Sequence, residues 1–261
     1  MKFKTLLLAS AAVLVAAPAF AADDITAAFY TPAKGHFLSD TTLQGTRLKS
    51  DYDDLGKSLA VTEELNYGVT DNLAVFGAIS NNFDVEGLYN NDHNFAYDLG
   101  VAYTMNYGKV LGQAVLGYHT FDPRTWWGKD IDSNRWGKEL YATAKLGYAF
   151  DCGLTPYTTF TMVGDIDNAA YADEKRDQAY SWFLGAHKML DRVSLDGGFR
   201  YDFGNGLRED MSEQWYVQAE ANYFVKDNMT VGVFGDYYLG GQSHKDIKYG
   251  YTWGLNAKVA F

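Results

Sequence analysis

The sequence predicts an all-β fold, a single antiparallel β-barrel of about 12 strands that crosses a membrane, with short turns at one rim and longer loops at the other. Three observations support this prediction. Apolar and polar side chains alternate in run after run, as they do along a strand with one apolar and one polar face. The chain holds 20 Tyr, 16 Phe and 26 Gly but only 4 Pro. Beyond the first 21 residues, no segment approaches the continuous apolar length of a helical span.

The N-terminus has the features of a secretory signal peptide. MKFKTLLLASAAVLVAAPAFA begins with two lysines, continues with an apolar stretch from Leu6 to Ala17, and ends on the small-x-small triplet Ala19-Phe20-Ala21. We expect residues 1–21 to be removed by cleavage before Ala22. Residues 22–36 are then expected to form an N-terminal periplasmic segment or an extra strand, ahead of a barrel over residues 37–261.

Charge and cysteine content exclude two classes of protein. Removing Lys2 and Lys4 with the signal peptide leaves 20 basic against 33 acidic side chains, a balance that argues against nucleic-acid binding. Cys152 is the single cysteine, so no intramolecular disulfide holds the exported chain together. No pattern in the sequence calls for a cofactor or a metal ion.

Twelve alternating runs account for the barrel. In one of the clearest, the odd positions from Phe95 to Tyr107 are apolar or aromatic and the even positions are small or polar. The runs cover roughly residues 37–48, 57–67, 73–82, 95–107, 110–121, 139–150, 154–165, 178–190, 193–203, 213–225, 229–239 and 249–261. Ten or fourteen strands are alternatives, because residues 22–36 can add or replace a strand and the seventh run contains Pro156.

Short and long connections alternate between these runs. The short connections are rich in turn-forming residues and lie at 68–72, 108–109, 151–153, 191–192 and 226–228. The long, polar connections lie around 49–56, 83–94, 122–138, 166–177, 204–212 and 240–248. With an even strand count, this order places both termini at the short-turn, periplasmic rim.

The chain ends in YTWGLNAKVAF, with an apolar side chain at every second position and a terminal Phe. Together with the signal peptide, the alternating strands and the two classes of connection, this ending resembles the bacterial outer-membrane β-barrel proteins, a porin-like class. In that group the last strand is the signal read by the barrel-assembly machinery. The resemblance therefore implies location in the outer membrane, contact with its lipid and lipopolysaccharide, and an assembly signal at Tyr251, Trp253, Leu255, Ala257, Val259 and Phe261. It leaves the oligomeric state open.

The strand register predicts a charged lumen. Seven carboxylates fall on the polar face, against three fixed cations; the set is Glu64, Asp98, Glu139, Asp196, Asp202, Glu220 and Asp236, with Lys145, Arg200 and Lys258. Arg200 is expected to pair with Asp196, Asp202 or both, because alternate positions on a strand share a face. Such a lumen predicts a porin-like channel for passive diffusion of small polar or cationic solutes.

Two other function classes remain open. The first is a structural or surface-interaction barrel without a pore, in which salt bridges plug the lumen. The second is an outer-membrane hydrolase acting on lipid or peptide, which needs a nucleophile or activated water beside a positioned base. Because no set of serine, histidine and carboxylate in the sequence matches such a site, we expect no enzymatic activity.

Overall fold

Alternation of side chains along the chain produces twelve antiparallel strands. The computed structural model describes residues 24–50, 54–84, 94–121, 137–165, 178–204, 213–241 and 247–261. The predicted signal peptide and part or all of each predicted long connection lie outside these residues. The strands are β1 Phe37–Ser50, β2 Asp54–Gly68, β3 Leu73–Asp84, β4 Asn94–Tyr107, β5 Val110–Phe121, β6 Gly137–Tyr148, β7 Leu154–Asp165, β8 Ala179–Leu190, β9 Val193–Phe203, β10 Glu213–Lys226, β11 Met229–Gly240 and β12 Ile247–Ala260.

The strands close into one barrel, which confirms the predicted fold class and strand count. Each strand pairs with the next, and β1 pairs with β12 from Leu38 opposite Ala260 to Ser50 opposite Ile247. At the rim, Phe37 and Phe261 exchange two backbone hydrogen bonds of 2.7 and 2.9 Å. Within the described residues, no helix has the length and apolarity that a membrane crossing requires.

Short turns join the strands at one rim, as predicted. Gly108 and Gly153 adopt positive φ angles of 64° and 76° there, a conformation that glycine reaches without steric cost. Asp191, in the β8–β9 turn, adopts a φ of 51°, which Asp tolerates better than most residues. Phe37 and Phe261 lie at this same rim, so both ends of the barrel are on its short-turn side.

The outward face is apolar, as expected for a wall in contact with lipid. Leu99 and Leu116 are each 61% exposed on this face. Glu63 of β2 also faces outward, since it alternates with the inward Glu64. Its carboxylate accepts hydrogen bonds from the Ser39 hydroxyl at 2.6 Å and from the Thr41 hydroxyl, both on β1. These two donors offset part of the cost of placing a carboxylate against hydrocarbon.

Residues 24–36 form no strand and lie inside the barrel near the short-turn rim. The C-terminal end of this segment lies beside β2, where the Gly35 amide donates to the Gly68 carbonyl at 2.8 Å. Its N-terminal end lies against β8 and β9, on the opposite wall. We call this segment the plug.

Candidate functional site

The N-terminal end of the plug is held by polar contacts to β8 and β9. Asp24 Oδ2 lies 2.7 Å from His187 Nε2, and the Thr26 hydroxyl lies 2.7 Å from that of Ser194. Thr26 also donates to Asp24 through its backbone amide, at 3.1 Å, and through its hydroxyl. Burial raises the pKa of Asp24, but its hydrogen bonds with His187 and Thr26 outweigh burial and hold that pKa below its ordinary value. This end of the plug is therefore docked through a charged carboxylate.

The middle of the plug packs against β6 and β7. Phe29 is 7% exposed, and its ring lies over Gly147 and meets the Tyr157 ring edge-on at 5.9 Å. A Cβ at residue 147 would lie 2.7 Å from the Phe29 ring, so glycine makes the slot that this ring occupies. Lys145 Nζ donates to the Ala28 carbonyl at 3.1 Å. Together with the docked end, these contacts anchor the plug across the diameter of the barrel.

The plug leaves space on both sides. A cavity of about 720 Å³ lies between the plug and the walls formed by β6 to β12 and by β1. A second cavity, of about 400 Å³, runs beside the plug along β1 to β6. Both cavities are lined by Ala28, Lys145, Tyr157, Asp196 and Glu220. We call these five residues the neck, because they line both spaces.

Charges on the wall of the larger cavity are arranged in pairs. Arg200 Nε donates to Asp202 Oδ2 at 3.1 Å, and Nη1 lies 3.6 Å from Asp236 Oδ2. The Arg200 guanidinium also lies 4.1 Å from the centre of the Tyr216 ring. The expected partner Asp202 is thus found. Asp196 instead accepts a hydrogen bond from Tyr157 at 2.8 Å.

A second charged group joins β1, β10 and β12. Lys258 Nζ lies 3.1 Å from Glu220 Oε1 and 3.8 Å from Asp40 Oδ2. The amides of Asn222 and Asn256 donate to the same Glu220 oxygen, at 2.9 and 2.7 Å. Glu220 Oε1 therefore carries three donors, while Oε2 has no donor among the described residues.

The opposite wall holds the other predicted lumen acids. Asp98 accepts from the Tyr141 hydroxyl at 2.8 Å and lies 3.6 Å from His119 Nδ1. Glu64 accepts from the Asn66 amide at 2.7 Å and lines the smaller cavity. Glu139 alternates with Tyr141 on β6 and so shares its inward face.

Aromatic rings pack over glycines along the inner wall. Tyr141 covers Gly117 and Phe76 covers Gly100, so that a Cβ at either glycine would collide with the ring above it. Phe183 covers Gly198 and Phe234 covers Gly254 in the same way. Rings packed onto glycine in neighbouring strands occupy the wall and not the bore. This packing keeps the two cavities open in a barrel whose lumen contains many large side chains.

No family model and no curated protein matches the chain. Solved structures do match. A COG4313 outer membrane channel from Pseudomonas putida F1 aligns at a TM-score of 0.64 and 12% identity, over 90% of this chain and 98% of that one. The chain has the fold of an outer-membrane β-barrel. The NanC porin aligns at a TM-score of 0.57 and 9% identity, over 84% of this chain and 98% of that one. The KdgM porin aligns at a TM-score of 0.52 and 6% identity, over 84% of this chain and 99% of that one.

The predicted assembly residues of this barrel lie on β12 and at its end. Trp253 and Leu255 face outward, 51% and 48% exposed, whereas Val259 is only 2% exposed. Tyr251 pairs with Arg47 of β1 and with Tyr237 of β11, and Ala257 pairs with Thr41 and Val231. The Phe261 ring stacks on that of Phe37 at 5.6 Å.

Two interior acids of the barrel were not among the predicted lumen residues. Asp40 lines the smaller cavity and alternates with Thr42 and Gln44 on β1, a polar spacing that is visible in the sequence. Asp24 lies in the plug, and no periodic pattern around it indicates where it goes. Both acids add negative charge to the interior.

Proposed function

We propose that this barrel is an outer-membrane channel through which small polar solutes diffuse passively, with a preference for cations among simple ions. The observation that carries the proposal is the pair of polar cavities inside the barrel that share the neck residues in their lining. The fold supports it, because the compared structures are named as a channel and as porins. None of these names describes an enzyme, which gives no support to a hydrolase.

The preference for cations rests on the balance of interior charge. Among the described residues, nine carboxylates face the interior or belong to the plug, against four lysines or arginines. The acids are the seven predicted lumen acids together with Asp24 and Asp40, and the cations are Lys34 of the plug with Lys145, Arg200 and Lys258. An excess of one sign inside a low-dielectric wall raises the local concentration of the opposite ion. Pairing reduces this excess around Arg200 and Lys258, so the preference is moderate.

Reversal potentials in planar bilayers test the proposal. The double variant Asp98→Asn with Glu220→Gln should lower cation selectivity, more so at low salt, where screening is weaker. Lys109→Gln is the control and should leave selectivity unchanged. Lys109, in the β4–β5 turn, forms an exposed ion pair with Asp151 in the β6–β7 turn, at the periplasmic rim. Anion preference in the unmodified protein would contradict the proposal.

The plug favours a second candidate, a structural barrel that does not conduct. It crosses the lumen and is anchored on opposite walls. Deleting residues 24–33 should raise single-channel conductance if the plug narrows a pore. If both the intact protein and the deletion variant are silent, the structural candidate stands. Contact with lipopolysaccharide and recognition of β12 by the assembly machinery belong to either candidate.

A further inference from the structure

The neck carries ionisable groups of both signs, and its carboxylate Glu220 is paired through Oε1 with Lys258 of β12. Lys145 lies on β6, and Glu220 lies on β10; both face the two cavities at the level of the plug. In the part of the chain that the structure describes, Lys145 forms no ion pair within 4.0 Å. A lysine and a carboxylate thus line both cavities, and no ion pair joins them among the described residues.

Each of these groups has hydrogen-bonding capacity left for a solute. Lys145 Nζ uses one of its three N–H donors on the Ala28 carbonyl. Glu220 receives its three donors, among them Lys258 Nζ, on Oε1, and no described residue donates to its Oε2. The neck therefore offers donors at one point and an acceptor at another.

The other neck residues do not compete for these positions. Both oxygens of Asp196 face groups of the protein: Oδ1 accepts from Tyr157 at 2.8 Å, and Oδ2 lies 3.5 Å from His187 Nδ1. Ala28 and Tyr157 present a methyl group and a ring. A solute in the neck consequently meets one cation, one open carboxylate oxygen and a small apolar surface.

We propose that the neck selects small zwitterionic solutes of the amino-acid type. The carboxylate of the solute is held by Lys145 and its ammonium by Glu220 Oε2, while its side chain lies against Ala28 and Tyr157. A simple anion is attracted by Lys145 but repelled by Glu220. A simple cation is attracted by Glu220 but repelled by Lys145. This inference rests on the proposed channel function and names a class of solute for it.

Alanine and lactamide provide a matched pair of probes, since they are isomers and only alanine is a zwitterion. In swelling of proteoliposomes, corrected for protein-free vesicles, alanine should enter faster than lactamide, by about threefold or more if both contacts have the strength of exposed ion pairs. Lys145→Gln should reduce alanine entry to the lactamide rate, and Lys145→Arg should retain the difference. Lys109→Gln, the control at the rim, should leave both rates unchanged.

The outcomes separate this inference from the proposed function. No entry of either isomer would contradict the channel itself. Lactamide entry with alanine no faster would overturn the zwitterion site and leave the channel standing. An equal change of both rates in Lys145→Gln would show that Lys145 acts only by holding Ala28 of the plug, and this too would overturn the proposal.

Discussion

The packing of Tyr141 on Gly117 gives a sharp test of how the inner wall is built. Tyr141 of β6 reaches over Gly117 of β5 to donate to Asp98 of β4 at 2.8 Å. A Cβ at residue 117 would lie 2.5 Å from Tyr141 Cε1 and closer still to the end of the ring. Real Cβ atoms do not approach other atoms this closely, so Gly117→Ala must push the ring off the wall and break its bond with Asp98.

The cost follows from the bond that is lost. A hydrogen bond to a charged group contributes about 1.5–3 kcal/mol, and replacing glycine by alanine in a strand returns about 0.5–1 kcal/mol. We therefore expect Gly117→Ala to lower the free energy of unfolding by about 1–2 kcal/mol. The displaced ring also enters the smaller cavity, which Tyr141 lines, so conductance should fall.

Urea unfolding in lipid vesicles, followed by the gel shift between folded and unfolded protein, measures the first effect. Gly164→Ala is the matched control, because a Cβ at residue 164 meets nothing within 4 Å. In a Tyr141→Ala background, Gly117→Ala should cost nothing, since the ring it displaces is gone. An equal cost of Gly117→Ala with and without Tyr141 would refute the reasoning.

Three further perturbations test the plug, the last strand and the lipid face. Because the pKa of Asp24 is lowered in the folded protein, its contribution to plug docking is present above about pH 4 and is lost as pH falls through the lowered value. Conductance should rise on acidification, and Asp24→Asn should raise it already at pH 7; unchanged conductance of that variant would count against the docking. Deleting Phe261 removes its ring stack on Phe37 of β1 and should reduce the amount of assembled protein, measured by its heat-modifiable migration on a gel. A full yield of assembled truncated chain would contradict the assembly signal. Ser39→Ala with Thr41→Val leaves Glu63 facing lipid without its donors. The free energy of unfolding should fall by about 1.5–3 kcal/mol for each lost bond, which is seen as a lower urea midpoint. Adding Glu63→Leu should restore the midpoint, and a double variant as stable as the original would show that the hydroxyls are dispensable.

The strands were predictable because alternation is a local property of the sequence. The run predicted at residues 193–203 is β9 with the same bounds, and the run at 139–150 is β6 shifted by two residues at each end. Pro156 raised doubt about the seventh strand, yet it lies near the start of β7, where a missing N–H is tolerated. The alternation of side chains can be read from the sequence of one strand, without knowing which strand pairs with it.

The plug was not predictable, because nothing local determines its course. DITAAFYTPAKGH has no strand period, and its expected place was a periplasmic segment or an added strand. Its course depends on contacts far along the chain, such as the Gly147 slot for Phe29 and the Ser194 hydroxyl beside Thr26. These sites come together only after the barrel has closed.

The arrangement of interior charge shows the same limit from another side. Alternation places Arg200 and Asp202 on one face of one strand, and they pair. The contact of Arg200 with Asp236 is different in kind, because it spans from β9 to β11 across β10 and depends on the register of three strands. Glu220 likewise reaches its Lys258 partner across β11, because β10 and β12 both pair with β11. A tally of lumen residues therefore predicts the sign of the interior field. The strength of that field at the neck depends on which carboxylate oxygens the closed barrel leaves without donors, and among the described residues none donates to Glu220 Oε2.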